Sequence, residues 1–353
     1  MSNSTFRVAF SDDFLKADGS LTHPEYDWGP LAGDPDIELS HLGATPADIQ
    51  ASQLAELDAL ILSWPAITPA SFGEDNRIAL IARSGAGFDN VDLEAATRAG
   101  VAVTNTPGGV RRPVAVAILT LVLALAGRLM ALERIVRESR WGDTSDEIGV
   151  GLVGRTLGSV GMGSIGAELF RLVRPFDMKL IAHDPYADPA LAAELGVCLV
   201  GLDDVFREAD FVNLSVPLMP ETRGLVSAER LALMKPTAFL INTSRGPVVD
   251  QVALTDALRE GRIAGAGIDV FEKEPPDPDD PLLALENVIL TPHALCETDQ
   301  MFHMISAIDC EAVRAVKAGQ APANVVNPAV LESEAFRAKL ARLGDQFGGS
   351  ATK

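Results

Sequence analysis

Cysteine is scarce: Cys198, Cys296 and Cys310 are the only three in 353 residues. No two of them form a Cys-x-x-Cys pair, and an odd count does not close into a set of bridges. A disulfide framework and a structural zinc site are therefore not expected, and no metal site is assigned. A reducing compartment, the cytoplasm, is the expected location. Bases are also in short supply, with 29 lysines and arginines against 49 acids for a net charge of -20. Such a field repels nucleic acid and anionic membrane surfaces, so neither is an expected partner. It favours solubility, and any site for an acidic ligand has to be built from local donors. Long apolar runs are missing too. The longest, Val114–Ala126, lies between Arg111, Arg112 and Arg128 and falls well short of the about 20 residues a membrane span needs. It reads as a helix buried between domains or in a dimer contact. Met1–Phe10 holds no basic stretch followed by an apolar core, so no signal peptide is expected. No internal repeat or low-complexity tract is found.

What is present is a chain long enough for two domains, with 47% hydrophobic residues to build their cores. Short apolar runs alternate with helically spaced segments almost throughout. Strand-like runs are Arg7–Phe10, Ala59–Leu62, Ile78–Ala82, Val101–Thr104, Leu157–Gly161, Leu180–Asp184, Phe211–Val216, Ala238–Asn242, Gly265–Asp269 and Val288–Leu290. Leu93–Ala99, Ile165–Val173 and Val252–Arg259 carry helical spacing between them. The alternation predicts the α/β class, with parallel sheets and crossover helices. A long helical stretch is predicted from Pro113, where proline suits a first turn, to about Arg140. Trp141–Ile148 reads as a polar loop. A second α/β series then runs from Leu157 to near Pro292, and a long helix, roughly Asp299–Ala318, returns to the first domain. The expected division is 1–110 with 299–335, an inserted domain at 111–298, and a C-terminal tail at 336–353; the stretch after Pro328 is charged with helical spacing, and its end, Gly348–Lys353, is expected to fray.

The strongest local signal is Gly161-Met162-Gly163-Ser164-Ile165-Gly166, which follows a strand and opens a helix. The first glycine permits the tight turn, the second lets backbone approach a pyrophosphate, and the third lets helix and strand pack closely. The helix N-terminus then faces the phosphates. A second strand ends in Asp184, about 20 residues on, where a carboxylate can accept from both ribose hydroxyls of NAD and repel the extra phosphate of NADP. The residues after it are Pro185, Tyr186 and Ala187, with no arginine to compensate that phosphate. A bound dinucleotide, NAD rather than NADP, is predicted; the alternative for Asp184 is a solvated strand end.

Reducing a keto acid needs a cation for the carboxylate and carbonyl, a proton donor near neutral pH, and a partner that keeps the donor protonated. Arg245 follows the apolar run Ala238–Ile241, and its guanidinium can bind a carboxylate at two points. His293 follows Val288–Leu290 and is one of only five histidines. Glu274 lies past the strand ending at Asp269 and could orient the imidazole and raise its affinity for a proton. Each has a plainer reading, as an ion-paired arginine, a structural histidine or a solvated glutamate.

Taken together, these motifs resemble the D-isomer-specific 2-hydroxyacid dehydrogenase family, whose members include phosphoglycerate, glyoxylate/hydroxypyruvate and D-lactate dehydrogenases. The resemblance runs from about residue 58 to about residue 328. It includes Gly85–Asp92, Asn105–Gly108, the glycine fingerprint, Asn242–Asp250, Gly267–Pro275 and Thr291–His293. It implies two Rossmann-like doubly wound domains, the NAD domain inserted into the substrate domain, with the active site in the cleft and a homodimer formed through the cofactor domains. Arg245 would bind the substrate carboxylate and carbonyl, His293 would be the acid in reduction and the base in oxidation, and Glu274 would pair with His293. Asp269 would contact the nicotinamide side, and Pro217, Thr243 and Ser244 would line its pocket. Gly161, Gly163, Ser164, Ile165 and Asp184 would hold the rest of NAD. The backbone at Ala86 and Gly87 would hold the substrate carboxylate, a use of amide groups that glycine makes sterically possible.

Ser215 stands where many members carry histidine, Met219 replaces a common threonine, Val116 a frequent glutamate, and Ala294-Leu295-Cys296 is bulkier than usual. In some phosphoglycerate dehydrogenases, arginines after the strand equivalent to Ala59–Leu62 bind phosphate. Here those positions read Leu62 and Trp64, followed by Pro65, which disfavours 3-phosphoglycerate. Arg111 and Arg112 could meet a second polar group of the substrate or pair with surface acids. The implied activity is hydride exchange between NAD(H) and C2 of a small 2-hydroxy or 2-keto acid: glyoxylate, hydroxypyruvate or a larger keto acid. An alternative is an NAD(H)-sensing scaffold resembling the C-terminal-binding corepressors, which can keep the same residues; the absence of a long disordered arm argues against it. Formate or phosphite oxidation on the same fold is a third reading, and Glu274 disfavours formate.

Overall fold

The computed structural model describes residues 5–43 and 48–348. All but Gly348 of the segment expected to fray lies outside the described residues. The chain divides into two compact units, Met1–Val110 with Thr298–Lys353, and Arg111–Glu297.

The first unit is built on five parallel strands: β1 (Phe6–Phe10), β2 (Ile37–His41), β3 (Ala59–Leu62), β4 (Leu80–Arg83) and β5 (Ala102–Asn105), in the order β2-β1-β3-β4-β5. The second holds seven: β6 (Thr156–Val160), β7 (Lys179–His183), β8 (Val197–Leu199), β9 (Phe211–Leu214), β10 (Phe239–Asn242), β11 (Gly265–Ile268) and β12 (Val288–Leu290). Their order is β12-β11-β10-β9-β6-β7-β8, again parallel throughout. Both orders are doubly wound, and in the second the direction of winding reverses between β6 and β9. The interior strands are apolar because a parallel sheet is covered on both faces: every residue of β3, β9, β10 and β11 is buried.

The strands the sequence reading passed over are the edges β2 and β8. β2 alternates half-buried and exposed residues, and β8 has three residues of which one is buried. Neither shows the continuous apolar run that marks the interior strands.

Two corrections concern helices. The long helix begins at Pro107, not Pro113, and runs to Ala126, with Pro113 inside it. Its first turn packs so closely on the helix Asp299–Lys317 that a Cβ at Gly109 would lie 2.6 Å from the Ile305 side chain. The stretch expected to reach Arg140 breaks at Arg128, which takes a left-handed backbone (φ 52°), and resumes as Leu129–Arg137. By length and composition Pro107–Ala126 could cross a membrane. However, 56% of its most apolar window is buried, and Ala115, Ile118, Leu121 and Val122 lie in the core of the second unit. The charged segment after Pro328, read with helical spacing, is helical from Glu334. Glu334–Phe347 is a helix that buries Phe336, Leu343 and Phe347, and the ring of Phe347 meets Phe6 edge-on at 5.8 Å.

Candidate active site

The glycine turn sits at the winding reversal of the second sheet, between the ends of β6 and β9. Gly161 has φ 93°, and a Cβ there would lie 2.2 Å from the Ser215 carbonyl oxygen. A Cβ at Gly166 would lie 2.6 Å from the Gly161 carbonyl oxygen, whereas a Cβ at Gly163 would meet nothing within 4 Å. The turn is thus tight at its first and third glycines and open at the second, where a pyrophosphate needs room. Ser164 and Ile165 open the helix Ser164–Val173 that follows. The Asp184 carboxylate, past the end of β7, accepts from the Met162 N–H and the Tyr186 N–H, each at 2.8 Å. These residues fit a dinucleotide.

Beneath the turn lies a network the sequence reading missed. Asn213 donates to Ser159 Oγ at 3.0 Å and Ser215 Oγ at 2.9 Å, and Ser159 donates to the Gly161 carbonyl at 2.7 Å. Ser215, the departure from the usual histidine, is bound into this network. Pro217 follows, and its carbonyl accepts from the Thr222 hydroxyl at 2.7 Å.

Arg245, Glu274 and His293 all follow strand ends on the other side of that reversal, after β10, β11 and β12. The His293 Nδ1 lies 2.9 Å from Glu274 Oε2, and the other oxygen of Glu274 accepts from the Phe271 N–H at 2.9 Å. His293 itself has a left-handed backbone, φ 55°. A non-glycine residue in that region marks a position the surrounding structure imposes. Asp269 imposes it here. It is 2% exposed, and its Oδ1 accepts from the Thr291 hydroxyl at 2.6 Å and from the N–H groups of Ala294 and Leu295 at 3.2 and 3.3 Å. Asp269 thereby fastens both flanks of His293.

Arg245 belongs to the segment Asn242–Gly246. Thr243 and Ser244 are half-buried there. Asn242 holds the segment by donating to the Arg245 carbonyl at 3.0 Å and accepting from the Ser244 N–H at 3.0 Å. The Arg245 guanidinium donates to the Ser244 carbonyl at 2.8 Å. Gly246 sets how closely this segment meets the one bearing Glu274, because a Cβ there would lie 1.8 Å from the Phe271 carbonyl oxygen. The substitution Gly246→Ala should therefore force the Arg245 and Glu274 segments apart. It is expected to lower kcat/KM about a hundredfold, the scale of a ~1 Å misplacement, with NADH affinity retained. Equal loss of NADH binding would assign Gly246 to the cofactor side instead.

Burial works to raise the Glu274 carboxyl. The hydrogen bond and charge of His293, the Phe271 N–H and the charge of Arg245 outweigh it and hold the carboxyl below the usual glutamate value. Glu274 is thus an anion at neutral pH, suited to orient and support a protonated imidazole. A folded value below the unfolded one contributes stability that is complete above the ordinary value of 4.5 and is lost as pH falls through the depressed value. The melting temperatures of wild type and Glu274→Gln should separate at neutral pH and converge in acid; a gap independent of pH would refute the pairing. Cys296 is pushed up to about 12, by burial first and then by the charges of Asp269 and Glu297, so its thiol stays protonated and unreactive.

In the first unit Ala86 and Gly87 occupy the turn after β4. Asn105 donates to the Ala86 carbonyl at 2.8 Å, and no acceptor among the described residues takes the N–H of either residue. Arg83, at the end of β4, is a cation the sequence reading passed over. Trp64 is 52% exposed. Arg112 pairs with Glu168 at 2.6 Å, which favours the ion-pair reading for that residue.

A family model described as D-isomer specific 2-hydroxyacid dehydrogenase, NAD binding domain, matches residues 119–294. A glyoxylate reductase of Korarchaeum cryptofilum is 42% identical over 284 residues, 79% of this chain and 86% of that protein. The chain belongs to the D-isomer-specific 2-hydroxyacid dehydrogenase family. A D-3-phosphoglycerate dehydrogenase of Methanocaldococcus jannaschii is 37% identical over 277 residues, and there the match spans 78% of this dehydrogenase but 52% of the relative. Among solved structures, D-lactate dehydrogenase of Aquifex aeolicus, complexed with NAD and lactic acid, has a TM-score of 0.76 at 28% identity. That match covers 87% of this chain and 94% of that one. The dehydrogenase is accordingly an NAD-binding oxidoreductase, and the glycine turn and Asp184 are the residues of this chain that fit its cofactor.

Proposed function

We propose that this dehydrogenase reduces glyoxylate, hydroxypyruvate or a larger 2-keto acid with NADH, His293 being the general acid. The observation that carries the reading is the 2.9 Å contact of His293 with Glu274. When bound, the nicotinamide supplies the hydride for C2. The chain's own residues do the rest. Arg245 holds the substrate carboxylate and polarises the carbonyl. With Nδ1 committed to Glu274, the proton passes from His293 Nε2 to the carbonyl oxygen, and in the reverse direction Nε2 accepts it. Asp269 is assigned to the nicotinamide side, with Pro217, Thr243 and Ser244. The amides of Ala86 and Gly87 are assigned the substrate carboxylate.

The relatives named glyoxylate reductase favour the small keto acids, since the match spans 86% and 88% of the first two of them. A panel of 2-keto acids with NADH and NADPH tests the reading. It expects turnover of glyoxylate or hydroxypyruvate above 3-phosphohydroxypyruvate, and NADH preferred over NADPH; no turnover across the panel would reject it. Asp184→Ala should raise the KM for NADH about tenfold, the order of one charge-assisted hydrogen bond, and narrow the preference over NADPH. An unchanged cofactor ratio would remove Asp184 from the ribose site.

A homodimer is part of the same reading. Val116, Leu123, Leu129, Met130, Val136 and Trp141 are large apolar side chains exposed within residues 116–141 of the second unit, the kind of residue a partner surface covers. Sedimentation of the purified protein at twice the chain mass is the expected result. All three cysteines are free, which supports the cytoplasm as the location.

A further inference from the structure

The first unit holds a buried acid for which the reaction above has no use. Asp309 lies on the helix Asp299–Lys317 and is 1% exposed. Its Oδ2 accepts from the Tyr26 hydroxyl at 2.8 Å and, more closely, from the Ser84 hydroxyl. Its Oδ1 is buried with no hydrogen-bond partner among the described residues. Burial pushes the carboxyl up to about 7, against the hydrogen bonds of Ser84 and Tyr26 and the charge of Arg83. An acid left half-satisfied in a core destabilises the fold, so what it holds in place is informative.

It holds Ser84, the residue between β4 and the Gly85–Gly87 turn. The far side of that turn is pinned separately. The Gly85 N–H donates to Thr106 Oγ1 at 2.8 Å and the Gly85 carbonyl accepts from the Thr106 N–H at 2.9 Å. Gly85 has φ 126°, and the Arg83 guanidinium crosses so near that a Cβ on Gly85 would lie 1.8 Å from it. The same guanidinium donates to the Ser84 carbonyl. The Ser84 hydroxyl therefore ties the near end of the turn to the helix behind it. Tyr26 comes from the N-terminal stretch in which the sequence motifs found nothing. Its ring is wedged against Trp28 at 4.3 Å and Phe14 at 5.1 Å, and this packing aims its hydroxyl at Asp309.

We infer that Tyr26 and Asp309 are positioning residues for substrate, acting through Ser84 to fix the turn whose Ala86 and Gly87 amides take the carboxylate. The inference rests on the role assigned to those two amides above. A hydrogen bond to a carboxylate weakens steeply with small displacements of its donor, so loosening the foot of the turn should appear in substrate affinity.

Tyr26→Phe deletes the hydroxyl and keeps the ring. The KM for the 2-keto acid is expected to rise about five- to twentyfold, the order of one hydrogen bond to a charged group. The KM for NADH and the kcat at saturation should stay within about twofold. Ser84→Ala should do the same. The double variant should be no worse than the more severe single one, because both act through one carboxylate. Each substitution removes a single hydroxyl, which leaves the effect on folding testable. Folded Tyr26→Phe and Ser84→Ala proteins with lower melting temperatures but an unchanged keto-acid KM would overturn the inference. So would strictly additive effects in the double variant. Wild-type turnover of the keto-acid panel is the separate control: its absence would reject the functional reading and this inference with it.

Discussion

His293→Asn will lower kcat by about a hundredfold to ten-thousandfold, the range a positioned general acid contributes, while NADH binds with unchanged affinity. Asparagine is the informative substitute because His293 has φ 55°, a backbone region that asparagine tolerates and alanine does not favour. The loss then reports the missing proton donor rather than a rearranged loop. Rapid-mixing turnover with saturating keto acid, alongside a fluorescence titration with NADH, separates the two. Near-wild-type kcat would mean that another group or water delivers the proton. Glu274→Gln should fall between the variant and wild type, since it leaves the imidazole in place without its anionic partner.

The second large effect is expected at Arg245. Arg245→Ala should lower kcat/KM for the keto acid by about 30- to 4,000-fold, the equivalent of the ~2–5 kcal/mol lost when one partner of a buried, hydrogen-bonded charge pair is removed. Arg245→Lys should recover only part of this, because an ammonium keeps the charge but not the two-point geometry. Equal activity of the lysine and arginine proteins would mean that the site uses charge alone. If NADH affinity fell in step with kcat/KM, Arg245 would belong to the cofactor site rather than to the substrate.

The elements legible in the sequence are those whose physics is local. A buried parallel strand such as Ala59–Leu62 announces itself as a continuous apolar run, and the structure has it at those bounds; the apolar edge strand Val288–Leu290 was legible for the same reason. The glycine turn is legible because three separate steric demands fall at fixed spacing. The edge strands β2 and β8 were not legible, since their half-exposed residues leave no continuous apolar run. Pro113 misplaced the start of the long helix because the contact that extends it, Gly109 on Ile305, comes from residues almost 200 positions apart in the chain.

The same division runs through the candidate site. Arg245, Glu274 and His293 could be nominated from strand ends, and the structure sets Glu274 against His293. Asp269 was nominated for the nicotinamide, but nothing in its neighbours foretold that it would also fasten Thr291, Ala294 and Leu295 around the histidine. Gly246 carried a faint signal, as a glycine directly after a candidate catalytic arginine, but its partner Phe271 is brought close only by the pairing of β10 with β11. Tyr26 and Asp309 are joined across 283 positions of sequence, and no spacing rule reaches that far.

The proposed reaction moves hydrogen directly from the nicotinamide to C2 of a keto acid. Incubation of the protein with glyoxylate or hydroxypyruvate and NADH deuterated at both C4 positions tests it most directly, with the product read by NMR. One deuterium at C2 of the hydroxy acid, in the D configuration where that carbon is chiral, is the result predicted. A hydroxy acid carrying solvent hydrogen at C2, or bound cofactor with no hydroxy acid formed from either keto acid, would contradict it.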